Sequence, residues 1–242
     1  GAAPSHPELL EYLAERFVAS GWSARAVHRL ILNSAAYRQS GSASAAARRR
    51  DEPNRLYSRY PVRRLDAEAI RDSMLAASGE LDLRVGGRYV PTQRDGDGDV
   101  VVAESSEGAR RRSVYLQQRR TQIPGLLEVF DAPSIVTNCT ARPTTTVPLQ
   151  ALKLLNSGFV RSRAAALARR TAAGAALDLR ARVDSLFQFT LGRPARPAEH
   201  QAAREFLAAQ TAEYAGKSEA EQQVWTDFCQ MLLASNAFLF LE

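Results

Sequence analysis

Lysine, cysteine and methionine are scarce in this chain, and long apolar runs are missing. Of the 32 basic residues only Lys153 and Lys217 are lysine, so the net charge of +6 rests on arginine. Arginine presents a planar fork that matches carboxylate, sulfate and phosphate, which points to anionic partners. A genome rich in guanine and cytosine, which favours Arg and Ala codons, gives the same composition with no partner implied. The two cysteines, Cys139 and Cys229, fit no zinc or haem spacing, and C-x-x-C-H is absent. They can pair in an oxidising compartment, but nothing in the sequence requires it. No apolar run reaches the ~18 residues of a membrane span. The opening GAAPSHPELL lacks the basic start and apolar region of a secretion signal. A chain that begins so abruptly at a helix start is expected to be cut from something longer. Catalytic triads, metal-ligand clusters and Gly-rich phosphate loops are also lacking.

What is present is an ordinary globular composition, 45% hydrophobic and 24% charged. Ser5-His6-Pro7-Glu8 reads as a helix start, with Ser5 as N-cap and Glu8 completing a capping box. Leu9, Leu10, Leu13, Phe17 and Val18 share one face of that helix. Gly21 ends it, and Ser23 caps a second helix carrying Val27, Leu30, Ile31 and Ala35, so the two form an antiparallel hairpin. His28 lies near that apolar face, as a partly buried residue or as a ligand or base. Residues 40–50 read as an exposed loop or frayed helix end with Arg48, Arg49 and Arg50 solvated. Asp66 caps a third helix with Ile70, Met74 and Leu75 inside, to Ser78. Glu68 and Asp72 are four apart on it and share a face, where two carboxylates suit acid/base work. The plainer alternative is an ion-paired face with Arg71 and Arg64 as partners.

From Gly79 to Arg120 the periodicity shifts toward strands. Val100–Val102 and Ser113–Leu116 have strand composition, and Arg112 and Val114 are expected on one face. Asp95-Gly96-Asp97-Gly98-Asp99 starts like a calcium loop but continues with Val100 and Ser106 where Gly and Glu belong. A polar hairpin tip is expected instead. The arginines at 110–112 and 119–120 have only Tyr115 near them, too few aromatics for nucleic-acid binding.

Residues 123–130 form a short helix. The run FDAPSIVTNCTARPTTTVPLQALKLLNSGFV (130–160) follows, holding a carboxylate, a cysteine, an arginine, five threonines and three prolines. Pro148 opens a helix with Leu149, Leu152, Leu155 and Val160 toward the core, continuing to Thr171. Residues 174–177 make a loop. Helices then run from Asp178 to Gly192, from Pro197 to about Tyr214, and from Ser218 to near Asn236. Trp225 and the tail FLFLE are expected in the core. The fold class is mainly α, a single multi-helix domain 1–242 with a small antiparallel β insertion. N-terminal helices occupy 1–78, the insertion 79–122 and C-terminal helices 123–242.

Six stretches resemble, in family order, the planctomycete domain of unknown function 1553, the C-terminal module of cytochrome-c-like surface proteins. They are SHPELLEYLAERFVASGWSARAVHRLILNSAAYRQS, NRLYSRYPVRRLDAEAIRDSMLAASGELD, RRSVYLQQRR, the run 130–160, LFQFTLGRPARPAEHQAAREFL and WTDFCQMLLASNAFLFLE. The resemblance implies a periplasmic or cell-surface setting. It also implies N-terminal domains that include a haem-bearing one, and gene neighbours that degrade polysaccharide. It supplies no reaction and no catalytic residues.

Two functions are therefore weighed from the residues themselves. One is a non-catalytic scaffold or binding module, taking an anionic polysaccharide through arginines. The other is a hydrolase-like enzyme on an anionic carbohydrate with its site around 131–146. In the latter, Asp131 is general base or carboxylate anchor, His28 a proton shuttle and Glu68 the second carboxylate. Arg142 and Arg64, with Arg71 and Arg112, hold the anionic group. In the scaffold version Asp131 caps its turn, Arg142 pairs with it, and Thr144–Thr146 satisfy backbone. No cofactor or metal is expected in this chain, and no nucleic-acid partner.

Overall fold

Serine side chains cap three of the helices, and left-handed glycines close two others. The computed structural model describes residues 3–134, 139, 142–172 and 178–241, and the chain divides into two units, Gly1–Arg63 and Arg64–Leu241. The expected loop 174–177 and part of the run 130–160 lie outside the described residues.

The first unit holds α1 (Pro7–Ala19), α2 (Ala24–Asn33) and α3 (Ala45–Arg50). Pro7 opens α1 as expected, but His6 rather than Ser5 occupies the N-cap position. Ser5 Oγ is instead hydrogen-bonded to His6 Nδ1 at 3.0 Å. The turn to α2 passes through left-handed Gly21 and Trp22 (φ 69° and 62°), and Ser23 Oγ accepts from the Ala26 N–H at 3.3 Å. Neither helix of this hairpin has a fully buried residue, because two helices alone bury only the strip along which they touch. His28 is exposed, not partly buried. Ser44 caps α3, so the stretch 40–50 ends in a helical turn with its three arginines exposed.

The boundary falls within β1 (Arg63–Arg64), and the second unit continues with α4 (Ala67–Ser78), β2 (Gln93–Arg94), β3 (Val100–Val101) and α5 (Gly125–Val129). Next come α6 (Pro148–Asn156), α7 (Gly158–Ala172), α8 (Leu179–Leu191), α9 (Pro197–Glu213), α10 (Ala220–Leu233), α11 (Asn236–Leu239) and β4 (Phe240–Leu241). The architecture is mainly helical with two small antiparallel two-stranded sheets, β1–β4 and β2–β3. No helix of the described residues is long and apolar enough to cross a membrane. Asp66 holds the N-cap position of α4, Ile70, Met74 and Leu75 are fully buried, and left-handed Gly79 ends the helix. Helix α4, which chain order groups with the N-terminal helices, packs against α5, α7 and α8 in the second unit. α10 lies against α7, α8 and α9, and Val224, Trp225, Phe228, Cys229, Leu232 and Leu233 enter the core from it. Phe238 and Leu239 of the tail are buried there too. The Cys229 thiol has no exposed surface, and burial pushes its pKa up to about 12, so it stays protonated and inert at neutral pH.

The β insertion is mostly irregular. Gln93 faces Val101 and Arg94 faces Val100, with the DGDGD tip turning between them. Asp95 Oδ1 accepts the N–H groups of Asp97 (3.1 Å) and Asp99 (2.9 Å), which makes it a polar hairpin tip as expected. Ser113–Tyr115 corrects the strand expectation, since it is a 3-10 turn. The cause lies across the fold: Asp72 Oδ1 accepts from both the N–H and the hydroxyl of Ser113, each at 2.7 Å, and curls the backbone there. Helix α6 is also phased differently from its apolar pattern. Leu149, Leu152 and Leu155 are exposed, while Gln150 and Leu154 are buried. The Gln150 amide is drawn inward because it donates to the carbonyls of Val129 (3.0 Å) and Thr145 (3.2 Å).

Without ladders, the carbonyls of the irregular segment need other donors, and arginines supply them. Arg71 donates to the carbonyls of Ala109 (2.7 Å) and Arg111 (2.9 Å). Arg111 donates to those of Arg88 (2.9 Å), Arg84 (3.2 Å) and Gly86, with its guanidinium over the Tyr115 ring. Arg170 closes the C-terminal end of α4 through the carbonyls of Ala76 and Ala77. Part of the arginine content is thus internal stapling, a use that composition cannot reveal.

One acid-limb prediction arises at α9. Glu199 accepts from both nitrogens of the Arg193 fork and from the Arg196 N–H, each at 2.7 Å. The Arg193 hydrogen bonds, working against burial, hold its carboxyl down at about 2. A depressed folded pKa contributes stability above the ordinary carboxylate value and loses it as pH falls through the folded one. Glu199→Gln should therefore be destabilising at pH 7, and the deficit should shrink as pH falls from about 4.5 toward about 2. Urea unfolding of both proteins across that range checks it, and a deficit that is constant with pH contradicts it.

Candidate functional site

Asp131 sits where α5 gives way to the run, in a left-handed conformation (φ 65°) that short polar side chains tolerate best. Arg64 Nη2 donates to Asp131 Oδ2 at 2.7 Å and to the Phe130 carbonyl at 3.0 Å, and Nη1 donates to the Thr145 carbonyl at 2.7 Å. The Thr145 N–H and hydroxyl close on the same carboxylate, each at 2.8 Å. Arg64 also lies over the Phe130 ring, 5.1 Å from its centroid. Burial raises the Asp131 pKa. The Thr145 N–H, the Arg64 fork and the Thr145 hydroxyl together outweigh it and hold the carboxyl below its ordinary value. Both oxygens are occupied and the group is ionised. The knot fixes the start of the run against Thr145 and α6. Arg64, rather than Arg142, is the partner of Asp131.

Arg142 reaches the open face of α4 instead. Its Nη1 and Nη2 donate to Glu68 at 2.7 and 3.2 Å, with Asp66 3.9 Å from Nη1. The hydrogen bond to Glu68 raises the Arg142 pKa, so the guanidinium stays charged throughout neutral pH. One turn along, Asp72 is flanked by Arg112 (3.5 Å) and Arg71 (3.7 Å) as well as bonded to Ser113. Glu68, Asp72, Arg112 and Arg142 line one groove of about 760 Å³, floored by Ala69, Ser73 and Ala76 and edged by exposed Val114. Arg112 and Val114 do share this groove, though on a turn rather than a strand.

The carboxylate face of α4 is thus ion-paired as the plainer alternative held, but with Arg142 joining Arg112 where Arg64 was expected. Arg71 points inward with its side chain 5% exposed, and burial pulls its pKa down to about 10, so it is still cationic at neutral pH. It staples the insertion and does not line the α4 groove. Of the seven residues singled out by sequence, the structure brings Glu68, Arg112 and Arg142 to one groove. Asp131 and Arg64 form the separate knot, and His28 belongs to the first unit. Asp72 is the group that sequence reasoning undervalued; its spacing from Glu68 was the available clue. No group of carboxylates, histidines and cysteines among the described residues can hold a metal ion.

Chemically, the groove offers two guanidiniums, 40% (Arg142) and 56% (Arg112) exposed, each against a carboxylate. The arginine forks suit sulfate or carboxylate. The family described as "Protein of unknown function (DUF1553)" matches residues 1–207. No curated protein and no solved structure matches the chain.

Proposed function

The chain belongs to the DUF1553 family of proteins of unknown function, and from that premise we propose that it is a non-catalytic binding module for an acidic saccharide. The α4 groove is its site. The observation that carries this is the pair of half-exposed guanidiniums on one wall of an open groove, each held in place by a carboxylate. A sulfate or uronate would exchange with Glu68 on Arg142 while the sugar ring lies on the alanine and serine floor. An enzyme role draws less support, because both oxygens of Asp131 are taken up by Arg64 and Thr145. Glu68 and Asp72 are likewise engaged by Arg142 and Arg112. The family resemblance implies a periplasmic or cell-surface setting, in proteins that often carry a haem domain ahead of this module.

Thermal-shift screening against sulfated and uronic oligosaccharides tests the proposal. A ligand at about 100 times its Kd adds about 2.7 kcal/mol, a shift of several degrees. The double variant Arg112→Ala/Arg142→Ala should lose that shift while its own Tm falls by no more than several degrees, since each exposed ion pair contributes only about 0–1 kcal/mol. An unchanged shift in the double variant, or none with any acidic glycan, would overturn it.

A further inference from the structure

A larger groove, about 960 Å³, runs between α7 and the first turn of α10, away from the α4 site. Arg161 and Arg169 enter it from α7 and Arg182 from α8. Arg182 lies over the Trp225 ring, its Cζ 3.7 Å from the centroid, with its side chain only 12% exposed. Its Nη2 donates to the Ala168 carbonyl at 3.3 Å, while Nε is buried without a hydrogen-bond partner among the described residues. The facing acid, Glu221, is 3.5 Å away with its side chain 84% exposed, so water and salt screen the pair. Burial lowers the Arg182 pKa and Glu221 restores it only in part. Arg161 is held by Asp227 at 3.2 Å, and Arg169 makes no ion pair among the described residues. An under-compensated, partly desolvated cation in an open groove gains more from a bound anion than an exposed one does.

We propose that this groove is an oxyanion site, taking a sulfate or carboxylate group on the Arg182 fork with Arg169 as second cation and Glu221 displaced to solvent. It shares its ligand class with the α4 groove but none of its residues, so the two stand or fall separately. Fixed over Trp225, the guanidinium is pre-set in the plane that a bidentate anion needs.

Trp225 supplies the readout. In a Trp22→Phe background it is the sole tryptophan, and its emission is followed while sodium sulfate or sodium glucuronate is added against sodium chloride at equal ionic strength. A saturable change with either anion and none with chloride is expected; sulfate alone assigns an ester-sulfate ligand, and glucuronate alone a uronate. Arg169→Ala should weaken binding about 3-fold and Glu221→Gln tighten it by a similar factor, as each alters one screened charge. Both residues are exposed, so the fold survives these changes even if Arg182→Lys, expected to weaken binding about 10-fold, does not. Responses that follow ionic strength alone overturn the site. So does indifference to both Arg169→Ala and Glu221→Gln, or loss of binding in Arg112→Ala/Arg142→Ala, which would place the anion on α4.

Discussion

Arg64→Ala is expected to destabilise the second unit by about 3–5 kcal/mol in urea unfolding, the range for breaking one side of a buried charge pair. The guanidinium has its side chain 4% exposed and that of Asp131 is 15% exposed, so neither is well served by water when the other is gone. Its removal also orphans the Phe130 carbonyl, leaves the Thr145 carbonyl with the Gln150 amide as its remaining donor, and strips the cation from the Phe130 ring. Asp131 keeps its Thr145 bonds but loses the charge that pays for its burial. Arg64→Lys should recover only a small part, because an ammonium cannot bond the carboxylate and two divergent carbonyls through one rigid fork. A loss under about 1 kcal/mol, the value for an exposed pair, would mean that water reaches the knot.

Phe228→Ala should cost about 3–5 kcal/mol, the large-to-small range for a buried aromatic. The ring is 1% exposed, tilted against Phe206 with centroids 5.6 Å apart and edge-on to Trp225 at 6.1 Å. These two neighbours sit on helices, Phe206 on α9 and Trp225 on α10 itself, so the cavity cannot collapse by moving a loop. Phe228 also lies beyond residue 207, where the family match ends. The physical unit therefore extends past the matched segment, and α10 is part of its centre. Chemical denaturation gives the number; a value near that of a surface substitution would put α10 outside the cooperative core.

The legible parts of the fold were those governed by local rules. Asp66 occupies the N-cap position of α4, though its side chain makes no capping hydrogen bond, and Gly79 ends the helix because a left-handed C-cap is chosen by the residue itself. The same holds for Gly192 after α8 and Pro197 at the start of α9. Long-range polar demand was hidden. Leucine spacing placed 149, 152 and 155 inward, yet the carbonyls of Val129 and Thr145 pulled Gln150 in and rotated the helix. Strand composition at 113–116 yielded to Asp72, which lies 41 residues away in the chain. Charged residues were legible as candidates but not as couples, because a guanidinium can satisfy any carboxylate that the fold brings near. Arg64 found Asp131 and Arg142 found Glu68, 67 and 74 residues apart in sequence. The groove on α4 was half visible, in the i, i+4 carboxylates of one wall; its other wall is made by segments whose positions no spacing encodes.

Asp131 separates a scaffold from a catalyst, and its titration is the most direct test. The 13C chemical shift of its carboxyl carbon, followed by NMR from neutral pH downward, reports its protonation. A structural lock predicts a midpoint below the ordinary value for aspartate, with Arg64→Lys moving it upward. A midpoint raised toward neutrality, as a general base requires, would contradict the scaffold account and return Asp131 to the chemistry of an active site.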